Sequence, residues 1–174
     1  MRAYFWHYSE MGRWRPPAEK SSPYITPAGF AVLEQEQKDL WLRRRDVVKA
    51  LAAAAAEGDR SENAEYHYRK KELGGIDRRI HYLQKRMPEL NIVRESPKTN
   101  RVFFGAWVTL ENDADDSDTV YRIVGADEAD PKKNSISMDS PMAKALLKKT
   151  LGDEIKLLTG NEKCLFFITA IRYE

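Results

Sequence analysis

Apolar side chains recur at three- and four-residue spacing from Phe30 onward, through Leu33, Leu40, Val47, Leu51 and Ala54. That is the period of one face of an α-helix. Gln37 and Arg44 are the polar members of the seam, and Trp41, Val48 and Ala55 widen it. Thr26 suits the N-cap and Pro27 the first helical position, because proline lacks only an amide that would be unpaired there anyway. The run Ala52–Ala56 favours helix and allows a neighbour to approach closely. The pattern breaks at Glu57-Gly58-Asp59-Arg60, where Gly58 can take a left-handed backbone geometry. A second seam follows: Glu62, Tyr66, Arg69, Leu73, Ile76, Ile80, Leu83, Met87 and Leu90. It is apolar far from the break and polar close to it. Two long helices joined by so short a turn must run antiparallel, each burying its stripe on the other. At about 1.5 Å per residue, some 30 residues per arm predict a rod of about 45 Å. Gly74-Gly75 interrupts the second arm and is expected to weaken it locally, by about 1 kcal/mol per glycine relative to alanine.

Past Pro88 the period changes. Residues 91–100, with Ser96-Pro97, read as a linker between a hairpin at 25–90 and a C-terminal domain at 101–174. In that domain Val102–Phe104, Ala106–Leu110, Val120–Val124, Ser135–Met138, Ile155–Leu158 and Cys164–Tyr173 read as short strands. Ser140-Pro141 announces a helix through about Lys149, with Ala143, Leu146 and Leu147 facing a sheet and Gly152 beyond its end. The acidic run from Asp113 to Asp118 reads as a solvated hairpin loop. The expected class is α+β: a two-helix antiparallel coiled coil followed by a compact, mostly antiparallel domain. Residues 1–24 hold Tyr4, Phe5, Trp6, Tyr8 and Trp14 without a period and read as a loosely ordered extension or as an aromatic–arginine patch for a partner or RNA, a choice the sequence leaves open.

Composition narrows the class of function. The chain has 174 residues and a single cysteine, Cys164, so no internal disulfide can form. No apolar stretch approaches the roughly 20 residues that cross a bilayer, and the aromatic, charged N-terminus lacks the apolar core of a signal peptide. A soluble, cytoplasmic monomer is expected. Net charge is +2, divided unevenly. Residues 1–90 carry 17 Lys and Arg against 13 Asp and Glu, whereas residues 91–174 carry 12 against 14. The hairpin half is therefore the better candidate to meet a polyanion. His7, His67 and His81 are too scattered for a zinc site, and no phosphate-binding glycine loop or Ser-His-Asp arrangement is visible. The chain carries no self-contained catalytic kit.

The chemistry worth attention lies where the rod ends. Asp59 and Glu62 stand three residues apart beside Ser61 and Asn63. One reading makes them a capping box that satisfies helix amides. The other makes them oxygen ligands for Mg²⁺, a hard cation that keeps several waters and accepts one or two carboxylates alongside donors from elsewhere. Spacing alone leaves both open. Basic residues flank the pair, and by composition they are a solvated, ion-paired face as readily as a nucleic-acid contact.

Gly58-Asp59-Arg60-Ser61-Glu62-Asn63-Ala64-Glu65-Tyr66 resembles the tip signature of the Gre family of bacterial transcript cleavage factors. Ile76-Asp77-Arg78-Arg79, Val102-Phe103-Phe104-Gly105-Ala106-Trp107-Val108, Arg122-Ile123-Val124-Gly125 and the stretch Ser137 to Lys149 follow in the family's order. Arg60-Ser61 and the Val-Phe-Phe-Gly-Ala-Trp string point to the GreB kind over GreA. The resemblance spans residues 24–174 and implies an FKBP-like C-terminal domain. It implies a factor that enters the secondary channel of RNA polymerase and stimulates endonucleolytic cleavage of the 3′ segment of backtracked RNA, without being an enzyme itself. Asp59 and Glu62 would then be the tip acids that stabilise the second Mg²⁺ of the polymerase, an ion the chain does not bind alone. Ser61 and Asn63 would support them. Arg60, Arg69, Lys70, Lys71, Arg44 and Arg45 would form the basic face toward RNA. Competing readings are a non-catalytic channel blocker, a prolyl isomerase suggested by the fold alone, and a generic coiled-coil adaptor.

Overall fold

A computed structural model describes residues 20–173 except Gly58, Asp59, Ser96, Lys98, Gly160 and Asn161. Two long helices form the N-terminal half: α1 (Pro27–Ala56) and α2 (Ala64–Arg86). They start and stop for identifiable reasons. Thr26 caps α1 by accepting the Gly29 amide at 3.0 Å, with Pro27 at the first helical position. Asn63 caps α2 by accepting the Tyr66 amide at 3.0 Å. A short 3-10 turn, Met87–Glu89, extends α2.

The helices pack on one narrow seam. Leu33, Val47 and Ala54 of α1 are buried, as are Ile76, Ile80 and Leu83 of α2. Arg44 holds its seam place by pairing with Asp77 across the hairpin at 2.7 Å. Arg79 reaches Glu36 with two bonds of 2.7 Å, and Arg43 reaches Glu72 at 2.6 Å. The Arg79 hydrogen bond holds the Glu36 carboxyl below the usual carboxylate range against a partial loss of hydration. Half-exposed pairs of this kind contribute little to stability, but they penalise any slip of one helix along the other.

Gly74 and Gly75 do not break α2, which runs unbroken from Ala64 to Arg86. Nor does close packing require them. A Cβ on Gly74 would come no nearer than 3.5 Å to Arg78 Nη1, and one on Gly75 3.9 Å to Arg78 Nη2.

The C-terminal half is a five-stranded sheet with one helix across its inner face. The strands are β3 (Trp107–Asn112), β4 (Asp118–Val124), β5 (Ser135–Ser137), β6 (Glu154–Thr159) and β7 (Glu162–Arg172), in the order β5-β4-β3-β7-β6. All neighbours are antiparallel except β4 and β5. Alternation along β3 buries Val108 and Leu110 against Ile123, Ile155, Ile168 and helix α3 (Pro141–Leu146). This sheet-and-helix composition is the one expected of an FKBP-like domain. Two local expectations fail. Val102–Phe104 is not a strand: the Val102 amide and carbonyl instead bond Lys149 and Lys148, each at 2.8 Å, pinning a loop whose Val102 side chain plugs the core. Helix α3 stops at Leu146 rather than Lys149, because Lys148 turns to a positive φ of 70° to make that bond.

The two halves join through contacts distant in sequence. Strand β1 (Tyr24–Ile25) pairs in parallel with β2 (Asn91–Ile92), so part of the expected extension and part of the expected linker form one small sheet. Ile25, Leu33 and Leu83 close a core beneath it. The Thr26 hydroxyl donates to Glu128 at 2.5 Å, and the Thr26 and Gly125 amides donate to the same carboxylate at 3.0 and 2.9 Å. Arg86 pairs with Asp127 at 2.8 Å, with side chains only 11% and 6% exposed, and the Tyr82 hydroxyl donates to the other Asp127 oxygen. The backbones come so close that a Cβ on Gly125 would lie 2.2 Å from the Tyr24 carbonyl oxygen. Among the described residues, no helix is long and apolar enough to cross a membrane.

Gly74→Ala and Gly75→Ala should each stabilise the hairpin, by about 0.5–1 kcal/mol. Chemical denaturation followed by helical ellipticity checks this, and an unchanged or lower midpoint would contradict it.

Candidate functional site

The turn between α1 and α2 is a chain end in miniature, with carbonyls of one helix and amides of the next needing partners. Asn63 serves both. Its Oδ1 accepts the Tyr66 amide, and its Nδ2 donates to the Ala54 carbonyl of α1 at 2.9 Å. The Glu57 amide reaches the same carbonyl at 3.3 Å. Helix α2 therefore begins two residues later than a Glu62 inside its first turn would require. Asn63 is the cap of α2 and Glu62 is not, so Asn63 acts here as a structural staple. The signal is present in the sequence, since asparagine is among the strongest N-caps, but the acids around it offer the same chemistry.

Glu62 is left outside the helix, exposed, with no ion pair or hydrogen bond among the described residues. Glu57 is also exposed at the end of α1. Ser61 is exposed, and its carbonyl lies 3.2 Å from His67 Nε2. Asp59 falls outside the described residues. Among those described, no group of three or more acidic, histidine or cysteine side chains could hold a metal ion.

The six basic residues expected to face RNA divide into two sets. Arg69 bonds Glu65 at 2.7 Å and Glu72 at 3.0 Å, and Arg44 is held by Asp77. Hydrogen bonds from Arg43 and then Arg69 keep Glu72 below the ordinary carboxylate range, so it stays ionised beside them. These guanidiniums are committed to fixing the hairpin's register. Arg60 and Lys70 lie at 5.9 and 6.0 Å from the centre of the Tyr66 ring, while Lys71 and Arg45 are exposed. Carboxylates of the hairpin thus claim two of the six, Arg44 and Arg69.

Residues 23–92 match the family described as "Transcription elongation factor, N-terminal", and residues 96–173 match "Transcription elongation factor, GreA/GreB, C-term". Transcription elongation factor GreB of Xanthomonas axonopodis pv. citri is 55% identical over 165 residues, covering 94% of this chain and 98% of the relative. GreB of Pseudomonas aeruginosa is 50% identical over the same length, with the same coverage. Among solved structures, the GreA factor homolog 1 protein of Thermus thermophilus is 27% identical, with a TM-score of 0.40, covering 86% of this chain and 97% of that one.

The double role of Asn63 separates on substitution. Asn63→Asp keeps the acceptor for Tyr66 and loses only the bond to Ala54, whereas Asn63→Ala loses both. Alanine should cost about 1–2 kcal/mol and aspartate clearly less. Amide exchange at Tyr66 checks the assignment: it should quicken in the alanine variant and stay slow in the aspartate variant.

Proposed function

This chain belongs to the GreA/GreB family of transcription elongation factors, and from that premise we propose that the hairpin turn is its working end, with Glu62 and Asp59 as the acting carboxylates. Factors of the GreB kind stimulate transcript cleavage that RNA polymerase itself performs, and are not enzymes in their own right. The observation that carries the proposal is the state of Glu62: an exposed carboxylate with no partner among the described residues, at the end of a two-helix rod, relieved of capping duty by Asn63. A carboxylate not engaged there is available to stabilise something else.

The partner is bacterial RNA polymerase holding backtracked RNA. A rod two helices wide fits a channel that would exclude the C-terminal domain, and α1, at 30 residues, spans about 45 Å. The polymerase's second Mg²⁺ supplies Lewis-acid chemistry, lowering the pKa of a water and neutralising charge at the phosphate. The donor set at the turn suits that ion: hard carboxylate oxygens, too few to hold a cation unaided. Glu62 and Asp59 add negative charge and oxygen donors beside a weakly held cation and hydrogen-bond the water that approaches the phosphodiester. Arg60, Lys70, Lys71 and Arg45 keep their cationic groups away from the hairpin's ion pairs and can meet RNA phosphates, a salt-sensitive and sequence-blind contact.

Because Asn63 carries the cap, Asp59→Asn with Glu62→Gln should leave folding and polymerase binding intact. Cleavage of backtracked complexes should fall by about a hundredfold or more, the scale of losing a positioned electrostatic stabiliser. Undiminished cleavage by a folded, bound double variant would remove the acids from the mechanism. A parent chain that binds the polymerase without stimulating cleavage would favour the blocker reading, in which the rod matters and the acids do not.

A further inference from the structure

The base of the rod carries a second charged surface that the tip chemistry does not use. Arg78, His81 and Lys85 lie at three- and four-residue spacing on α2 and form one exposed stripe along its outer side. The chain entering β1 crosses beside them. Arg86 fixes it there, donating to the Ser22 carbonyl at 2.6 Å while it holds Asp127. Lys20 and Ser21 thereby become the far wall of an open groove of about 460 Å³. Among the described residues, Lys20, Arg78 and Lys85 have no carboxylate partner, unlike Arg43, Arg44, Arg69, Arg79 and Arg86. Among the described residues, these cations of the groove stay open, as Arg45 and Arg60 do elsewhere on the hairpin.

We infer that this groove docks an acidic helical segment of a partner protein, laid along α2 with carboxylates about one heptad apart. Three features favour this occupant. Arg78 and Lys85 are seven residues apart, about 10.5 Å along the axis, which matches acids one heptad apart on a second helix. Tyr82 offers a half-exposed apolar body between the charged rows, giving an aromatic centre within a polar rim, the usual anatomy of a protein interface. The same ring is a poor platform for a nucleotide base, because Arg79 lies 5.1 Å from its centre and Asp127 holds its hydroxyl. Single strands need stacking as well as charge, and this ring is already engaged on its face and at its hydroxyl. The groove also lies about 27 Å behind the turn, counted along α2 from Asn63 to His81. It therefore serves attachment rather than chemistry, and it stands whether or not the tip acids act as proposed.

The test uses the full chain and three probes: a three-heptad helical peptide with glutamates seven apart on one face, an isomer with the same glutamates scattered around the helix, and a single-stranded oligouridylate. The aligned peptide should shift the NMR signals of His81 and Tyr82, and Arg78→Glu with Lys85→Glu should weaken it by about tenfold or more. A matching lysine peptide should then bind the doubly substituted chain and not the parent. Lys85→Met alone should give a smaller loss in the same direction, which keeps the test decisive should the double variant fold poorly. Equal binding of the scattered isomer, affinity indifferent to both substitutions, or tighter binding of the oligouridylate in the groove would each overturn the inference.

Discussion

The structure depends on a seam too narrow to bury either helix alone. Most of each arm faces solvent, and the apolar side chains that leave it are Leu33, Val47 and Ala54 on one side and Ile76, Ile80 and Leu83 on the other. Neither helix has another surface on which to cover that stripe, so each must cover it on the other, along nearly its full length. The outcome is a rod rather than a bundle. The ion pairs Glu36–Arg79, Arg44–Asp77 and Arg43–Glu72 run along both sides of the seam. Their contribution is to register: sliding one helix by a turn would separate every one of these pairs. Register fixes which residues occupy the turn, and so leaves Asn63 in the chain's service and Glu62 free.

A rod is useful only if its base is fixed, and the base is built from groups far apart in sequence. Glu128 receives the Thr26 hydroxyl, the Thr26 amide and the Gly125 amide, so the residue that starts α1 is bonded directly to the C-terminal domain. Asp127, the neighbouring residue, takes Arg86 and Tyr82 from the end of α2. Both helices thus meet adjacent carboxylates of one loop. A nearly buried ion pair such as Arg86–Asp127 adds little over an apolar substitute but is costly to break on one side, which favours a single orientation of rod against sheet.

Much of this was legible in the chain. Thr26-Pro27 and Ser140-Pro141 announce helix starts because capping is local chemistry, and the structure caps both helices there. The seam was readable because burial on a helix repeats with the helical period. What escaped prediction was decided at longer range. Val102–Phe104 looks like a strand but is claimed by loop bonds to Lys148 and Lys149. Gly74-Gly75 looks like a break, yet the packed flanks at Leu73 and Ile76 carry the helix through. The acids at the turn suggested caps because their spacing permits it, and spacing cannot rank Asp59 or Glu62 against Asn63. No local pattern could have revealed Glu128 as the anchor of residue 26, more than a hundred positions away.

The central claim is that the length of the rod is a functional dimension, set by the seam and used to carry carboxylates to a distant ion. Removing one heptad from each arm at matched heights, residues 41–47 and 70–76, keeps the seam in phase and shortens the rod by about 10.5 Å. The decisive measurement is transcript cleavage in backtracked polymerase complexes saturated with this shortened chain. The account predicts unchanged binding to the polymerase with cleavage lost. Full cleavage from the shortened rod would show that reach is not what the hairpin provides.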